Sequence, residues 1–213
     1  MAGPLPRSYA STPIAIIEAA ERLFGSHGIE AVSTRQIMIE AKVGNKSAVA
    51  YHFGSRADLV RAIWDYRLPT LEARRRVLLD RLYERGCARD PHEVVKVLVQ
   101  PNYELRDAQG VHRYGAFFRH ALRWREGPGL RQQNVTSTPA SYEALALLEA
   151  LAPDVPKALL ASRMRYSSCA LFDMIFDRDC DLAEGRPAMA EEAFLAEGID
   201  MIVAACLRPV VTA

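Results

Sequence analysis

The sequence has few cysteines, and no group of residues in it has the spacing that a metal or catalytic centre needs. Its four cysteines are scattered in apolar surroundings, at Cys87, Cys169, Cys180 and Cys206. They predict reduced core thiols rather than disulfides or a metal site. His112 and His120, eight residues apart, do not suit one metal ion either. We found no HExxH motif, phosphate-binding glycine loop, carboxylate pair or nucleophile–base pair, so we expect no catalytic residues, no metal and no cofactor.

Long apolar runs and a large net charge are also missing. No apolar stretch reaches transmembrane length and the N-terminus shows no signal segment, so we expect a soluble, cytoplasmic protein without a membrane partner. The net charge of +1 does not by itself indicate nucleic acid, and the 50% of hydrophobic residues provide for a sizeable core. Helical patterns follow one another without a convincing strand, which predicts an all-α fold.

The most informative segment starts at Ser33 and reads as two short helices with a tight turn between them. Thr34, or Ser33 before it, can cap the first helix. Gly44 and Asn45 tolerate positive φ, which suits the abrupt turn. Gly54 then ends the second helix and the next helix begins. The segment therefore has the layout of a helix-turn-helix.

The second helix of this segment carries small, basic and hydroxyl side chains on its exposed side. Apart from small residues, that side offers Lys46, Ser47, Tyr51 and His52. Residues 33–56 hold four basic side chains and one acidic one, although the whole chain is nearly neutral. A short helix of this kind fits between the phosphate walls of a major groove. The segment predicts a unit that reads DNA.

The N-terminal part of the chain, less than a third of its length, resembles the tetracycline-repressor (TetR) family. The resemblance covers roughly residues 10 to 63 and lies in Ile16–Phe24, Gly28, Ser33–Thr34, Ile37, Ala41 and Ser47–Leu59. The helix cap, the hydrophobic spacing, Tyr-His-Phe-Gly and the next cap all occur in the family's order. Two features depart from the family pattern: the turn before Lys46 is one residue longer, and Arg56 replaces the usual lysine.

The resemblance implies a two-domain, all-α transcriptional regulator. A TetR-type DNA-binding domain is expected at residues 10–67, with its helix-turn-helix at about 34–53. A larger helical domain for effector binding and dimerisation is expected at residues 68–213. Its partners would be a second copy of the chain and double-stranded DNA with a near-palindromic operator.

Nine residues are expected to contact DNA: Thr34, Arg35, Asn45, Lys46, Ser47, Ala48, Tyr51, His52 and Arg56. The resemblance assigns phosphate contacts to Thr34, Tyr51, His52 and Arg56. The side chains left for base edges are Lys46, Ser47 and Ala48. Of these, Lys46 suits guanine and Ala48 suits a thymine methyl group.

The rest of the chain reads as a series of helices. They are predicted at residues 56–67, 70–85, 92–100, 110–126, 141–151, 156–181 and 188–207, with a polar loop at 127–139. Pro69 and Pro101 are expected to interrupt helices. The cluster Arg74–Arg76 is expected on a solvated helix face, paired with neighbouring carboxylates.

The predicted helix 110–126 has apolar groups on two faces. One stripe comprises Val111, Tyr114, Phe118, Ala121 and Leu122, and the other comprises Arg113, Phe117, His120 and Trp124. The second stripe is either plain core or the wall of a pocket for a small, mostly apolar effector. On the pocket interpretation, the ligand-binding residues are Arg113, Phe117, His120, Trp124, Tyr166, Cys169, Asp173 and Phe176.

The two last predicted helices carry more apolar surface than a single core needs. We expect residues 156–181 and 188–207 to form the homodimer interface, with Ile199 and Val203 inside it. Asp173 lies alone in this apolar region and needs a partner, which could be Arg113, Arg165 or a cationic ligand.

The favoured function is a sequence-specific, dimeric repressor that a small ligand releases from its operator. A ligand-free regulator or an activator with the same DNA-binding domain stays open as an alternative. A helical enzyme or carrier is the third alternative, although the sequence shows no catalytic constellation for it.

Overall fold

The computed structural model describes residues 11–45, 47–125 and 138–211. These residues form nine α-helices and no strand, which confirms the predicted all-α fold. In chain order the helices are α1 (Ser11–His27), α2 (Thr34–Glu40), α3 (Ala48–Phe53), α4 (Arg56–Glu84), α5 (Pro91–Glu104), α6 (Arg113–Arg123), α7 (Pro139–Leu151), α8 (Lys157–Ala183) and α9 (Glu191–Leu207). Among these described helices, none is both long and apolar enough to cross a membrane.

The first three helices and the start of α4 pack around one small core. The buried side chains of this core include Ile16, Ala20, Phe24, Ile37, Val49 and Phe53. Ser33 caps α2, because its hydroxyl accepts from the Gln36 backbone N–H and the Gln36 side chain accepts from the Ser33 N–H. Ser55 caps α4 in the same way, by accepting from the Asp58 N–H.

The turn between α2 and α3 is built differently from the prediction. Positive φ does not occur at Gly44 or Asn45; Lys42 has it instead, at 55°. Lys42 follows the last residues of α2, where a left-handed residue commonly ends a helix. Asn45 then starts the turn into α3, because its Oδ1 accepts from the Ser47 N–H at 3.0 Å.

Helix α4 is continuous, so the prediction that it ends before Pro69 is wrong. A proline removes one helical hydrogen bond, but packing on both sides can hold the chain helical. The flanking Leu68 and Leu71 are both buried. The same holds for α5, which runs through the buried Pro101 to Glu104. The predicted domain boundary between residues 67 and 68 falls inside α4 and stays a prediction.

Helix α6 starts later than predicted, at Arg113. His112 is held in front of it, because its backbone N–H and its ring Nδ1 both meet the Asp179 carboxylate, at 2.9 and 2.8 Å. The Asp107 carboxylate accepts from the Val111 N–H, which fixes the preceding turn. The loop predicted at 127–139 lies almost wholly outside the described residues.

Helix α6 lies between the two halves of the molecule. Its Phe117 and the following C-cap residue Trp124 belong to the core of the N-terminal helices, and its Leu122 belongs to the core of α5 and α7–α9. Most of its packing is against α1 on one side and α8 on the other. A shift of α6 would therefore change the packing in both halves of the molecule.

The last two helices pack against each other in antiparallel fashion. Arg163 on α8 lies beside the Cys206 carbonyl, while Leu171 lies against Gly198 so closely that a Cβ there would clash with it. Ile199 and Val203 are each only 6% exposed within the single chain. Their predicted place in a dimer interface is wrong, because α9 turns this stripe towards α5 and α8.

Candidate DNA-binding surface and ligand cavity

Helix α3 has a buried side and a fully accessible side. Val49 and Phe53 anchor it in the N-terminal core. Ala50 and His52 are exposed, and Tyr51 is 82% exposed with its ring edge-on to His52, the centroids 4.9 Å apart. A tyrosine side chain with this exposure buries little surface within the chain and contributes little to its stability. Its ring is therefore accessible to another molecule.

The assignment of Ala48 to a base edge is wrong. Ala48 is 3% exposed and packs in the core with Val49. The Asx turn at Asn45 starts the helix so that Ala48 points inward. Ala50 and Ser47 are the small residues on the exposed side. Lys46 lies outside the described residues, so its predicted guanine contact stays a prediction.

The start of α2 and the turn extend this exposed surface. Thr34, Arg35 and Asn45 are all exposed. No ion pair joins Arg35 to a carboxylate in the described parts of the chain, whereas Glu40 at the end of the same helix is paired with Arg22 at 3.0 Å. Arg35 therefore keeps an exposed positive charge at the start of α2.

Arg56 has a structural role that the sequence did not reveal. Its Nη1 donates to the carbonyl oxygens of Ile29 and Val32, the latter at 2.8 Å, and so braces the loop between α1 and α2. The half-buried guanidinium fixes the orientation of α2 relative to α1. Its predicted phosphate contact stays a prediction.

An apolar cavity of about 490 Å³ lies between α4, α5, α6, α7 and α8. Its walls include Leu98, Phe118, Leu122, Tyr142, Met164 and Phe172. A second lobe of about 260 Å³ shares part of this lining and extends along Trp64, Leu71 and Tyr114. Volumes of this order suit drug-sized ligands.

The residues predicted to bind the ligand do not line this cavity. Phe117 is fully buried in the N-terminal core, where it stacks on Phe24 at 6.5 Å between centroids. Trp124 donates from Nε1 to Glu30. His120 faces the end of α1 beside Gly28. Phe117 and Trp124 of the second stripe are therefore part of the core, and they pack the N-terminal helices.

The other predicted ligand residues are also engaged elsewhere. Cys169 is buried, Tyr166 is 62% exposed and Phe176 lies under the Arg119 guanidinium at 3.9 Å. Arg113 pairs with Asp107 at 2.8 Å. None of these residues lines the cavity.

Asp173 pairs with residues that the sequence did not indicate. Its carboxylate accepts from Arg119 at 3.0 Å and from Arg123, instead of Arg113 or Arg165. Burial opposes ionisation, but these two arginines together lower the pKa of Asp173 below its ordinary value. The ion pairs fasten α6 to α8.

The first stripe of α6 is the one that faces the cavity, through Tyr114, Phe118 and Leu122. Periodicity showed that both faces of α6 are covered. It could not show which neighbour covers which face, because that depends on where α1 and α8 lie in space.

Arg75 is the cavity residue that sequence reasoning missed. It is only 7% exposed, lines both lobes and pairs with Glu72 at 2.9 Å. Glu72 in turn accepts from the Ala140 N–H at the start of α7. The neighbours in the cluster behave as predicted, since Arg76 pairs with Asp80 on the surface. The sequence did contain a pattern that indicates the burial of Arg75, because Arg75 lies one helical turn from both Leu71 and Leu79 on the buried stripe.

Asn102 is another buried polar residue of the lining, 3% exposed. Its Nδ2 donates to the Leu98 carbonyl at 3.2 Å, within α5. Its Oδ1 and the Arg75 Nε are both buried without a hydrogen-bond partner among the described residues. Buried polar atoms normally have partners, and the Nε of Arg165, another residue of the lining, is unpartnered in the same way.

Comparison with known proteins identifies the N-terminal unit. Residues 16–63 match the family of bacterial regulatory proteins called tetR. No curated protein matches the chain in sequence. A solved structure described as a TetR-family transcriptional regulator from Mesorhizobium loti MAFF303099 is similar, at 17% identity and a TM-score of 0.46, covering 94% of this chain and 98% of that one. The family assignment is carried by residues 16–63, which contain α2 and α3.

Proposed function

Because residues 16–63 match the tetR family of bacterial regulatory proteins, we propose that the chain is a DNA-binding transcriptional regulator of that family and acts as a homodimeric repressor released from its operator by a small molecule. The observation that carries the DNA part is the exposed side of α3. It presents Ala50, Tyr51 and His52 to solvent, and Arg35 at the start of α2 is exposed as well. As a regulator acting on DNA, the protein is expected in the cytoplasm.

In this proposal Thr34, Tyr51 and His52 hold phosphates, and Ser47, Ala50 and Lys46 face base edges. Phosphate contacts set the position of the helix, whereas contacts to base edges give sequence preference. Support comes from the exposure of all the described members of this set. Lys46 is included in the set on the basis of the sequence alone.

The proposed dimer uses the outer faces of α8 and α9. Tyr166 on α8 is 62% exposed, and Leu182 near the end of the same helix is 51% exposed. Ala204 on α9 is exposed at the same level as Tyr166, since the two helices run antiparallel. Two such faces related by a two-fold axis would form a four-helix interface.

The dimer gives the operator its expected form. Two recognition helices about 34–36 Å apart would enter successive major grooves, so the operator would be a near-palindrome. Selection of bound duplexes from a random-sequence pool tests this. We expect enriched inverted repeats occupied by two chains. Enrichment of no sequence would contradict the proposal.

The interface is tested with a double variant, Tyr166→Glu with Ala204→Glu, in light scattering. We expect folded monomers, because both positions are exposed in the single chain and a buried unpaired carboxylate disfavours association. Ile199→Glu is the contrasting variant and should unfold the chain rather than separate subunits, since Ile199 is inside it. A double variant that stays dimeric would place the interface elsewhere.

Release by a ligand would act through α6. Tyr114 and Phe118 of this helix line the cavity, while Phe117 and Trp124 pack the N-terminal core. A ligand that favours one position of α6 would change the separation of the two DNA-binding units in the dimer. If no small molecule that enters the cavity changes operator affinity, the alternative of a ligand-free regulator is favoured.

A further inference from the structure

One arginine of the cavity lining has no counter-charge among the described residues. The lobes are lined by two cations, Arg75 and Arg165, and by no aspartate or glutamate of the described chain. Arg75 is balanced by Glu72, since their charged groups lie 2.9 Å apart. No ion pair within the described ranges involves Arg165, and an arginine stays charged at any physiological pH. The lining therefore keeps one unbalanced positive charge.

The guanidinium of Arg165 keeps donors that another group can reach. Its central carbon lies 4.5 Å from the centroid of the Tyr166 ring, and such a contact attracts a cation but supplies no counter-charge. Nε is enclosed and has no partner among the described residues. Nη1 and Nη2 are not enclosed in this way, and no described residue accepts a hydrogen bond from them. These two nitrogens are the accessible donors of the half-buried side chain.

Hydroxyl groups flank Arg165 on the cavity side of α8. Ser162 and Ser168 stand three residues before and after it, about one helical turn away, and all three residues line the first lobe. A serine hydroxyl can donate to an anion, although it carries no charge. An oxygen anion beside Arg165 would therefore meet charged and neutral donors together, which is the arrangement that binds anions strongly.

The second lobe has a different character. Arg165 and its two flanking serines line only the first lobe, whereas the side chains that line only the second are mostly apolar and include Trp64, Leu68, Leu71 and Tyr114. Phe118 lines both lobes and meets Trp64 and Phe172 edge to face, with both pairs of centroids 5.2 Å apart. Aromatic walls of this kind suit a flat apolar group. The unbalanced charge and the apolar walls thus lie in different parts of the cavity.

We infer that the cavity takes an amphipathic organic anion with one carboxylate-type group. The charged oxygens of the ligand accept from Nη1 and Nη2 of Arg165 in the first lobe, and its apolar body extends past Phe118 into the second. One negative charge balances the one unbalanced arginine, whereas a second would be left without a partner. This inference rests on the proposed effector role of the cavity, but it concerns binding and not release from DNA.

Three probes that share a ring system and differ in charge test the inference: naphthoate, naphthamide and naphthylmethylammonium. Isothermal titration calorimetry on the full-length chain at neutral pH gives their affinities. We expect naphthoate to bind at least about tenfold more tightly than naphthamide, because a hydrogen bond between two charged groups is stronger than one to a neutral carbonyl. The cation should bind most weakly, because Arg165 repels it. Naphthamide binding as tightly as naphthoate would overturn the inference, and so would the absence of naphthoate binding at millimolar concentration.

Two variants at one position separate recognition of the charge from general effects. Arg165→Gln removes the cation and should reduce the preference for naphthoate over naphthamide to within about twofold. Arg165→Lys keeps the charge but loses the paired donors, so it should retain a preference of at least about threefold. Arg81→Gln is the matched control, since Arg81 is an exposed cation of α4 outside both linings, and it should bind like the original chain.

A place for Arg165 in a subunit interface would give a different result. In that case Arg165→Gln would weaken the dimer in light scattering and leave the preference for naphthoate unchanged. An unchanged preference in the folded variant, with or without loss of the dimer, would contradict the inference. It would show that the anion is held by Arg75 or by no arginine of the lining.

The outcome for the ligand and the outcome for the proposed function remain distinguishable. Naphthoate that binds with the expected preference, yet leaves operator affinity unchanged, would support the ligand chemistry and contradict release by ligands of this class. A neutral or cationic compound that releases the operator equally from the original chain and from Arg165→Gln would contradict the ligand chemistry and leave release intact.

Discussion

Trp124 Nε1 donates a hydrogen bond of 2.6 Å to Glu30 Oε1, which joins the end of α6 to the loop between α1 and α2. Arg119, one turn earlier on α6, reaches the Gly25 carbonyl at 3.4 Å. His120 lies beside Gly28. The helix that forms one wall of the cavity is thus attached directly to the unit that carries α3.

The Trp124–Glu30 hydrogen bond should contribute measurably to stability. Trp124→Phe keeps an aromatic ring in the nearly buried site and removes the donor. We expect the loss of the hydrogen bond to lower the free energy of unfolding by about 1 kcal/mol, in addition to the effect of the smaller buried ring. Urea denaturation measures it. A double-mutant cycle with Glu30→Ala isolates the pair, and a coupling energy near zero would show that the bond contributes nothing. Glu30→Gln, which keeps the acceptor, should lose less than Glu30→Ala.

The close approach of α1 and α6 depends on a glycine. A Cβ at Gly25 would lie 3.0 Å from the Ala116 Cβ and 3.0 Å from the Phe117 backbone nitrogen, and backbone atoms cannot move aside locally. Gly25→Ala should therefore destabilise the protein by about 1–3 kcal/mol. Gly44→Ala is the matched control, because it meets nothing within 4 Å. Equal unfolding free energies for the two variants would refute this account of the α1–α6 contact.

The α1–α6 contact should also weaken in acid. Burial, followed by the charge of Arg119, lowers the pKa of His120 below its ordinary value of 6.5, although Asp173 opposes the shift. The unfolded chain therefore takes up a proton at higher pH than the folded chain does. The stabilisation that depends on neutral His120 is complete above pH 6.5 and is lost as the pH falls from there through the lowered pKa.

His120→Gln removes this titration. The unfolding free energy of the original chain should fall more steeply with acidification than that of the variant, and only in the window below pH 6.5. Denaturant titrations between neutral pH and pH 5 measure both slopes. Parallel curves would mean that His120 does not titrate in the fold as described.

Local patterns predicted the DNA-binding unit well, because its helices are set by caps and short-range spacing. Ser33, Gly54 and the stripe Ile16–Ala20–Phe24 all act within a turn or two of the chain. Pro69 failed as a helix stop, because packing of α4 outweighs one missing hydrogen bond. Local propensity therefore gave way where long-range packing is strong.

The cavity could not be found from local patterns. Arg75 lies in a run of arginines that resembles a solvated helix face, and its burial depends on α5 and α7, which arrive much later in the chain. Likewise, the sequence indicated both apolar stripes of α6, but it did not indicate which helices pack against each stripe. Which face meets α1 and which meets the cavity is a property of the assembled molecule.

The exposed side of α3 should tolerate a charge in the fold but not in DNA binding. Ala50→Glu places a carboxylate where phosphates and base edges are expected, so operator affinity should fall at least about a hundredfold while stability stays within about 0.5 kcal/mol. Ala73→Glu makes the same change at an exposed helical alanine of α4 and should bind like the original chain. Electrophoretic mobility shifts compare the two, and equal affinities would remove α3 from the interface.

The most direct test of the account measures how strongly the protein prefers its selected operator over a scrambled duplex of equal length and composition. Fluorescence anisotropy at physiological salt gives both dissociation constants, and Tyr51→Phe is measured beside the original chain. We expect a preference of at least about a thousandfold, which Tyr51→Phe leaves unchanged while it weakens binding to both duplexes equally. Equal affinity of the original chain for the two duplexes would contradict the claim that this protein reads DNA sequence through α3.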